Sequence, residues 1–151
     1  MAGALDKVLH PSDQVRVLDA IKLAERATSV EIKVHVEGRC PGGDAGKRAL
    51  DLFKALAVNR TKRRNGVLIY VAVRERRFAI QGDTGIHERA DSSYWPDAVQ
   101  RMTFAFGRGA FGEGIVGAIQ AVARRLAPRF PHSPDDQNEV DNDITTDESA
   151  I

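Results

Sequence analysis

Asn65 to Asp91, NGVLIYVAVRERRFAIQGDTGIHERAD, is the stretch that decides the fold. Asn65-Gly66 is a turn signal. Val67 to Val73 is then apolar throughout apart from the Tyr70 hydroxyl, the pattern of a central strand covered on both faces. After Arg74-Glu75-Arg76, residues Arg77 to Gln81 read as a second strand that returns antiparallel in a hairpin. The stretch closes on Gly82-Asp83-Thr84-Gly85-Ile86, with Glu88 and Asp91 following, a Gly-rich loop that gathers carboxylates. Such carboxylates repel one another unless a cation, a basic group or a proton sits among them.

Working outward, Val30-Glu31-Ile32-Lys33-Val34-His35-Val36-Glu37 alternates apolar and polar residues, so it reads as a strand with one face in the core. Ser12 is the expected N-cap of a first helix carrying Val15, Leu18 and Ile21, which Thr28-Ser29 ends. Residues 45–58 read as a helix with Ala49, Leu52, Phe53 and Leu56 on one stripe. Two more helices are expected at about 94–106 and 111–127. The strand–helix–strand unit over 30–73 requires parallel strands. These elements predict an α/β fold, a three-layer α/β/α sandwich with a small mixed β-sheet flanked by helices. In that topology Glu31 and the loop after Gln81 share one end of the sheet, where Glu31 can meet Asp83, and Glu37 lies at the other end.

The 151 residues suit one domain, with 42% hydrophobic and 28% charged side chains as in water-soluble globular proteins. Its parts read as an N-terminal lead (1–11), a single body (12–131) and an acidic tail (132–151). No apolar run approaches the ~20 residues that span a bilayer, and the N-terminus has no signal-peptide core. Cys40 is the sole cysteine, which excludes an internal disulfide and fits a reducing compartment. The expected location is the cytoplasm. The net charge of +1 conceals an asymmetry. Residues 1–130 hold all 22 bases against 14 acids, a balance of +8, whereas residues 131–151 hold seven acids and no base. With Pro131, Pro134 and few large apolar side chains, the tail is expected to be disordered, folding loosely back on the basic body with a strength that salt reduces.

The oxygen donors of Asp83, Glu88 and Asp91 suit a hard cation, Ca²⁺ or Mg²⁺. The plainer alternative is a polar turn, with Gly85 at positive φ and Asp83 capping the turn or the next helix. Gly38 to Arg48 lies where a phosphate-binding loop belongs, but only three residues separate Gly42 from Gly46, and Arg48 follows Lys47 where Ser or Thr is needed. The Arg of a cysteine-phosphatase loop is out of register with Cys40, and Gly85 stands where a paired aspartyl nucleophile would need its second Asp. His10, His87 and His132 share no zinc spacing with Cys40, and His35 reads as a structural or solvated strand residue. Arg60, Lys62, Arg63, Arg64, Arg74, Arg76 and Arg77 form a basic rim without a visible aromatic platform, so nucleic acid is not the expected partner. Trp95 is the expected packing anchor for the acidic loop.

In order along the chain, several segments resemble the TPM domain family. They are Ala24-Glu25 with Thr28 to Glu37, Arg48-Ala49 with Phe53 and Leu56, Thr61 with Asn65 to Ala72, Phe78 to Ile86, Trp95, Phe106, Gly114-Ile115 and Phe130-Pro131. The likeness covers about residues 12–131 and is strongest to the soluble bacterial branch. It implies an α/β/α sandwich, Ca²⁺ or Mg²⁺ in acidic sites, and the acid phosphatase activity reported for some plant members. Carried onto this sequence, the implied metal positions are Glu31, Asp83, Glu88 and Asp91. Val30 replaces the small residue usual before the Glu and is expected to narrow access to Glu31. The readings that follow are a cation-binding domain with a regulatory or assembly role, a metal-dependent phosphomonoesterase, and a basic protein-interaction module regulated by its acidic tail. The corresponding partner is an unknown protein or a phosphorylated small molecule.

Overall fold

In the computed structural model, residues 3–89, 95–136 and 138–151 are described, residues 87–89 by backbone alone. The order is α1 (Pro11–Ala27), β1 (Glu31–Glu37), α2 (Ala45–Ala55), β2 (Gly66–Ala72), β3 (Arg77–Gly82), α3 (Thr84–Arg89), α4 (Pro96–Gly107), α5 (Phe111–Leu126) and β4 (Ile144–Thr145). The sheet runs β3-β2-β1-β4. As the sequence requires, β1 and β2 are parallel, with Glu31 beside Gly66, and β3 returns antiparallel on β2. None of the helices among the described residues is long and apolar enough to cross a membrane.

Alternation along β1 sorts the layers. Val30, Ile32, Val34 and Val36 enter a large core shared with α1, α4 and α5. The opposite face of the sheet, through Leu68, Tyr70 and Ala72, packs on Ala49, Leu52 and Phe53 of α2. Helix α1 starts one residue before the expected cap: Pro11 opens it, and His10 Nδ1 accepts the Ser12 N–H at 3.1 Å. Its buried stripe is Val17, Ala20, Ile21 and Ala24, leaving Val15 exposed. The lead residues Val8 and Leu9 are buried in the same core.

Two expectations are corrected. The polar residues of β1 do not face water: Glu31, Lys33, His35 and Glu37 are all buried. They are covered by α2 and by the acidic tail, whose described residues are not disordered but lie against the body. Ile144 and Thr145 pair with Val34 and His35 at the edge of the sheet, and Val140 and Ala150 are buried. Composition was a poor guide here because the tail needs no core of its own; it completes one that the body provides, using an existing strand edge and complementary charge.

Candidate functional site

Glu31 and Asp83 do share one end of the sheet, since the Glu31 N–H donates to Asn65 O and the Asp83 N–H to Gly66 O. Their side chains nevertheless part company. Asp83 is clasped by Arg64, whose Nε and Nη2 reach its two oxygens at 2.9 and 3.0 Å. The Thr84 N–H adds a third bond at 2.7 Å. The basic neighbour that an acidic loop requires is therefore Arg64. No Gly-rich loop follows either, because α3 begins at Thr84. Gly85 is not among the positive-φ glycines. It is glycine because a Cβ there would lie 2.3 and 2.5 Å from the carbonyl oxygens of Arg63 and Arg64. Trp95 packs on the large core beside Gly82. Asp91 and the Glu88 side chain lie outside the described residues.

Glu31 lies between two small cavities. One, of about 140 Å³, is also lined by Glu25, Ser29, His132 and Asp136. The other, of about 240 Å³, is lined by Ser29, Asn65, Lys62, Arg63, Asp136 and Glu139. Glu31 Oε1 accepts the Glu139 N–H at 3.0 Å. Burial pushes the Glu31 carboxyl up to about 7, and Glu25, Glu139 and Asp136 reinforce the shift against that one hydrogen bond. Around Glu31, three oxygens are buried without a hydrogen-bond partner among the described residues: Glu25 Oε1, Ser29 Oγ and Asn65 Oδ1. Asn65 is only 2% exposed, and its amide Nδ2 is already committed to Ser29 O at 2.8 Å. An orphaned buried acceptor of this kind costs stability until a donor or a cation reaches it. The donor chemistry, carboxylate, amide oxygen and hydroxyl, fits a hard cation. Among the described residues no three His, Cys, Asp or Glu side chains are gathered closely enough to hold a metal as they stand. Asp136 is shared with Arg63 and His132 at 3.6 and 3.5 Å.

The other end of β1 holds the residue that topology set apart. Glu37 is fully buried and is the hub of a polar network. His35 Nε2 lies 2.7 Å from its Oε1, Arg48 reaches both oxygens at 2.8 and 3.0 Å, and the Tyr70 hydroxyl donates at 2.5 Å. Burial alone would raise the Glu37 carboxyl; the bonds from His35, Arg48 and Tyr70 outweigh it and hold it at about 2. The Tyr70 phenol moves up, through burial and then through Glu37. With both Glu37 oxygens engaged, this network is a clasp between β1, β2 and α2.

The profile of the TPM domain matches residues 4–125. The chain belongs to the TPM domain family. This TPM domain is similar to the BA42 protein of the psychrophilic bacterium Bizionia argentinensis, solved by NMR, at 37% identity and a TM-score of 0.85 over 92% of this chain and 95% of that one. It shares its fold with the N-terminal domain of a P. gingivalis protein (19% identity, TM-score 0.69, covering 83% and 80%). The N-terminal domain of the cg2496 protein of Corynebacterium glutamicum is a further fold relative (15% identity, TM-score 0.63, covering 90% and 79%). No curated protein matches it.

Of the expected metal positions, Glu31 and Asp83 have described side chains; Glu31 faces cavities with spare oxygen donors, whereas the Asp83 oxygens are taken by Arg64 and Thr84. Ser29, Asn65, Asp136 and Glu139 were not legible as companions of Glu31. Ser29 and Asn65 read as a break and a turn, and the other two belong to a segment expected to be disordered. No spacing in the sequence relates position 31 to position 139.

Proposed function

We propose that this TPM domain binds a divalent cation, Ca²⁺ or Mg²⁺, at Glu31 and uses it in a regulatory or assembly role. The observation that carries this reading is the oxygen of the buried Asn65, which has no hydrogen-bond partner among the described residues and lines the same cavity as Ser29 and Glu31. Ca²⁺ accepts amide and hydroxyl oxygens beside carboxylates and completes its shell with water, so a site with one central carboxylate suits weak binding. Asp136 and Glu139 would add charge from the tail. Asp83 is excluded from this proposal, because its oxygens serve Arg64 and Thr84.

The test is an NMR titration with CaCl₂ and with MgCl₂. Amide shifts should centre on Ser29–Glu31, Asn65 and residues 136–139, vanish in Glu31→Gln, and survive in Asp83→Asn. A titration that moves no signal at Glu31 or Asn65 would overturn the reading.

A second reading, metal-assisted phosphomonoester hydrolysis, draws on Lys62 and Arg63, which line the cavity of Glu31. They would attract an anionic substrate to the metal. Hydrolysis of an aryl phosphate that requires the cation and is lost in Glu31→Gln supports it; activity unchanged in that variant excludes this site.

A further inference from the structure

Residues 143–151 lie on the body as a peptide lies on a receptor. They meet the edge of β1 in only two residue pairs, Val34 with Ile144 and His35 with Thr145. The rest of the grip comes from side chains and from one backbone clamp. Lys33 Nζ binds Asp143, His35 Nδ1 lies 2.8 Å from Thr145 Oγ1, and Arg48 Nη2 donates to Asp147 at 3.0 Å. The N–H groups of Gly38 and Arg39 both donate to Ala150 O, each at 2.7 Å. Ala150 is buried over Gly38, where a Cβ would come within 2.3 Å of the Ile151 carbonyl carbon. The surface is thus shaped for an extended segment with carboxylates four residues apart and a small residue three positions later.

A strand edge is a general template for another strand, with backbone pairing supplying affinity and side-chain pockets supplying specificity. The two anchoring carboxylates of the tail remain half-open to water, at 57% for Asp143 and 38% for Asp147. Their ion pairs are therefore weak and screened by salt. What favours this tail over a competitor is its tether, which gives it an effective concentration on the order of millimolar.

We propose that the β1 edge is a docking groove for an extended acidic strand of a partner protein, and that residues 143–151 occupy it in cis as a displaceable pseudo-ligand. Lys33 and Arg48 select the carboxylates, and Gly38 selects a segment whose backbone comes as close as that of Ala150 and Ile151 does. Binding in trans requires the tail to leave. The proposal stands independently of the cation reading, because none of its three selecting residues is a donor to the Glu31 cavities.

The probe is a fluorescent synthetic peptide of Asp143–Ile151, titrated by anisotropy against the full chain. The variant D143N/D147N loosens the cis tail while leaving the body unchanged, and it should bind the peptide about tenfold or more tightly than the unaltered chain does. Adding Gly38→Ala to that variant should abolish binding, and a peptide of scrambled order should not bind. Asp147→Asn alone gives a smaller increase in the same direction and serves where the double variant does not fold. Equal binding by the variant and the unaltered chain, or equal binding of the scrambled peptide, overturns the proposal. The second outcome would mark the contact as mere attraction between opposite charges.

Discussion

Two buried glutamates on one strand, six residues apart, are driven in opposite directions by their surroundings. Glu37 gains more from His35, Arg48 and Tyr70 than it loses on burial, so its carboxyl falls from 4.5 to about 2. A depressed carboxyl contributes stability that is complete above about pH 4.5 and lost as pH falls towards 2, a span worth about 3 kcal/mol. Urea unfolding between pH 5 and 2 should show this loss in the unaltered chain and much less of it in Glu37→Gln. At pH 7 that variant should be less stable by ~3 kcal/mol, because Arg48 and Tyr70 lose their shared anion. Glu31 is the converse. Its carboxyl is raised to about 7, so the folded chain holds a proton that the unfolded chain releases, and stability falls as pH climbs from 4.5 to 7. In EDTA at pH 8, Glu31→Gln should therefore be more stable than the unaltered chain by about 1–3 kcal/mol. The same substitution should remove the response to Ca²⁺. A variant that lowers stability while removing the response would show that Glu31 is a structural residue.

At the scale of the element, the junction between β3 and α3 depends on close backbone approach. Helix α3 can start at Thr84 only because Gly85 lets the Arg63 and Arg64 carbonyls in, the Gly85 N–H donating to Arg64 O at 2.9 Å. The same contact holds Arg64, at a φ of 52°, where its guanidinium meets Asp83. Gly85→Ala must push these segments apart, a strain of about 1–3 kcal/mol, and should lower the thermal midpoint by several degrees. Because Asp83 and Glu31 line different cavities, this change should leave the Ca²⁺ titration at Asn65 in place. The element scale also explains why β1 could be read but only half interpreted. Its alternation fixes two faces, and the apolar one was assigned correctly to the core. Alternation cannot say whether the polar face meets water, α2 or another segment of the chain.

For the whole molecule, the charge asymmetry becomes a docking arrangement. The tail reaches β1 through Asp143 and Thr145, reaches α2 through Asp147, and reaches the Glu31 cavities through Asp136 and Glu139. Raising NaCl from about 0.05 to 1 M shortens the screening length from over 10 Å to roughly 3 Å. Amide exchange at Gly38 and Arg39, whose N–H groups hold Ala150, should then accelerate, while Val67–Val71 in the sheet centre stay protected. Protection unchanged by salt would mean that packing rather than charge seats the tail. The sequence by itself determined the three layers, the parallel β1–β2 pair, the hairpin to β3 and the common end of the sheet shared by Glu31 and Asp83. These follow from periodicity and turn chemistry, which are local properties of consecutive residues. Only the tertiary structure decided that Arg64 takes Asp83, that Asn65, Ser29 and the tail acids surround Glu31, and that Glu37 anchors a buried clasp. Most of those pairings join residues remote in sequence, and their outcome depends on which charges and orphaned oxygens the folded chain leaves facing one another.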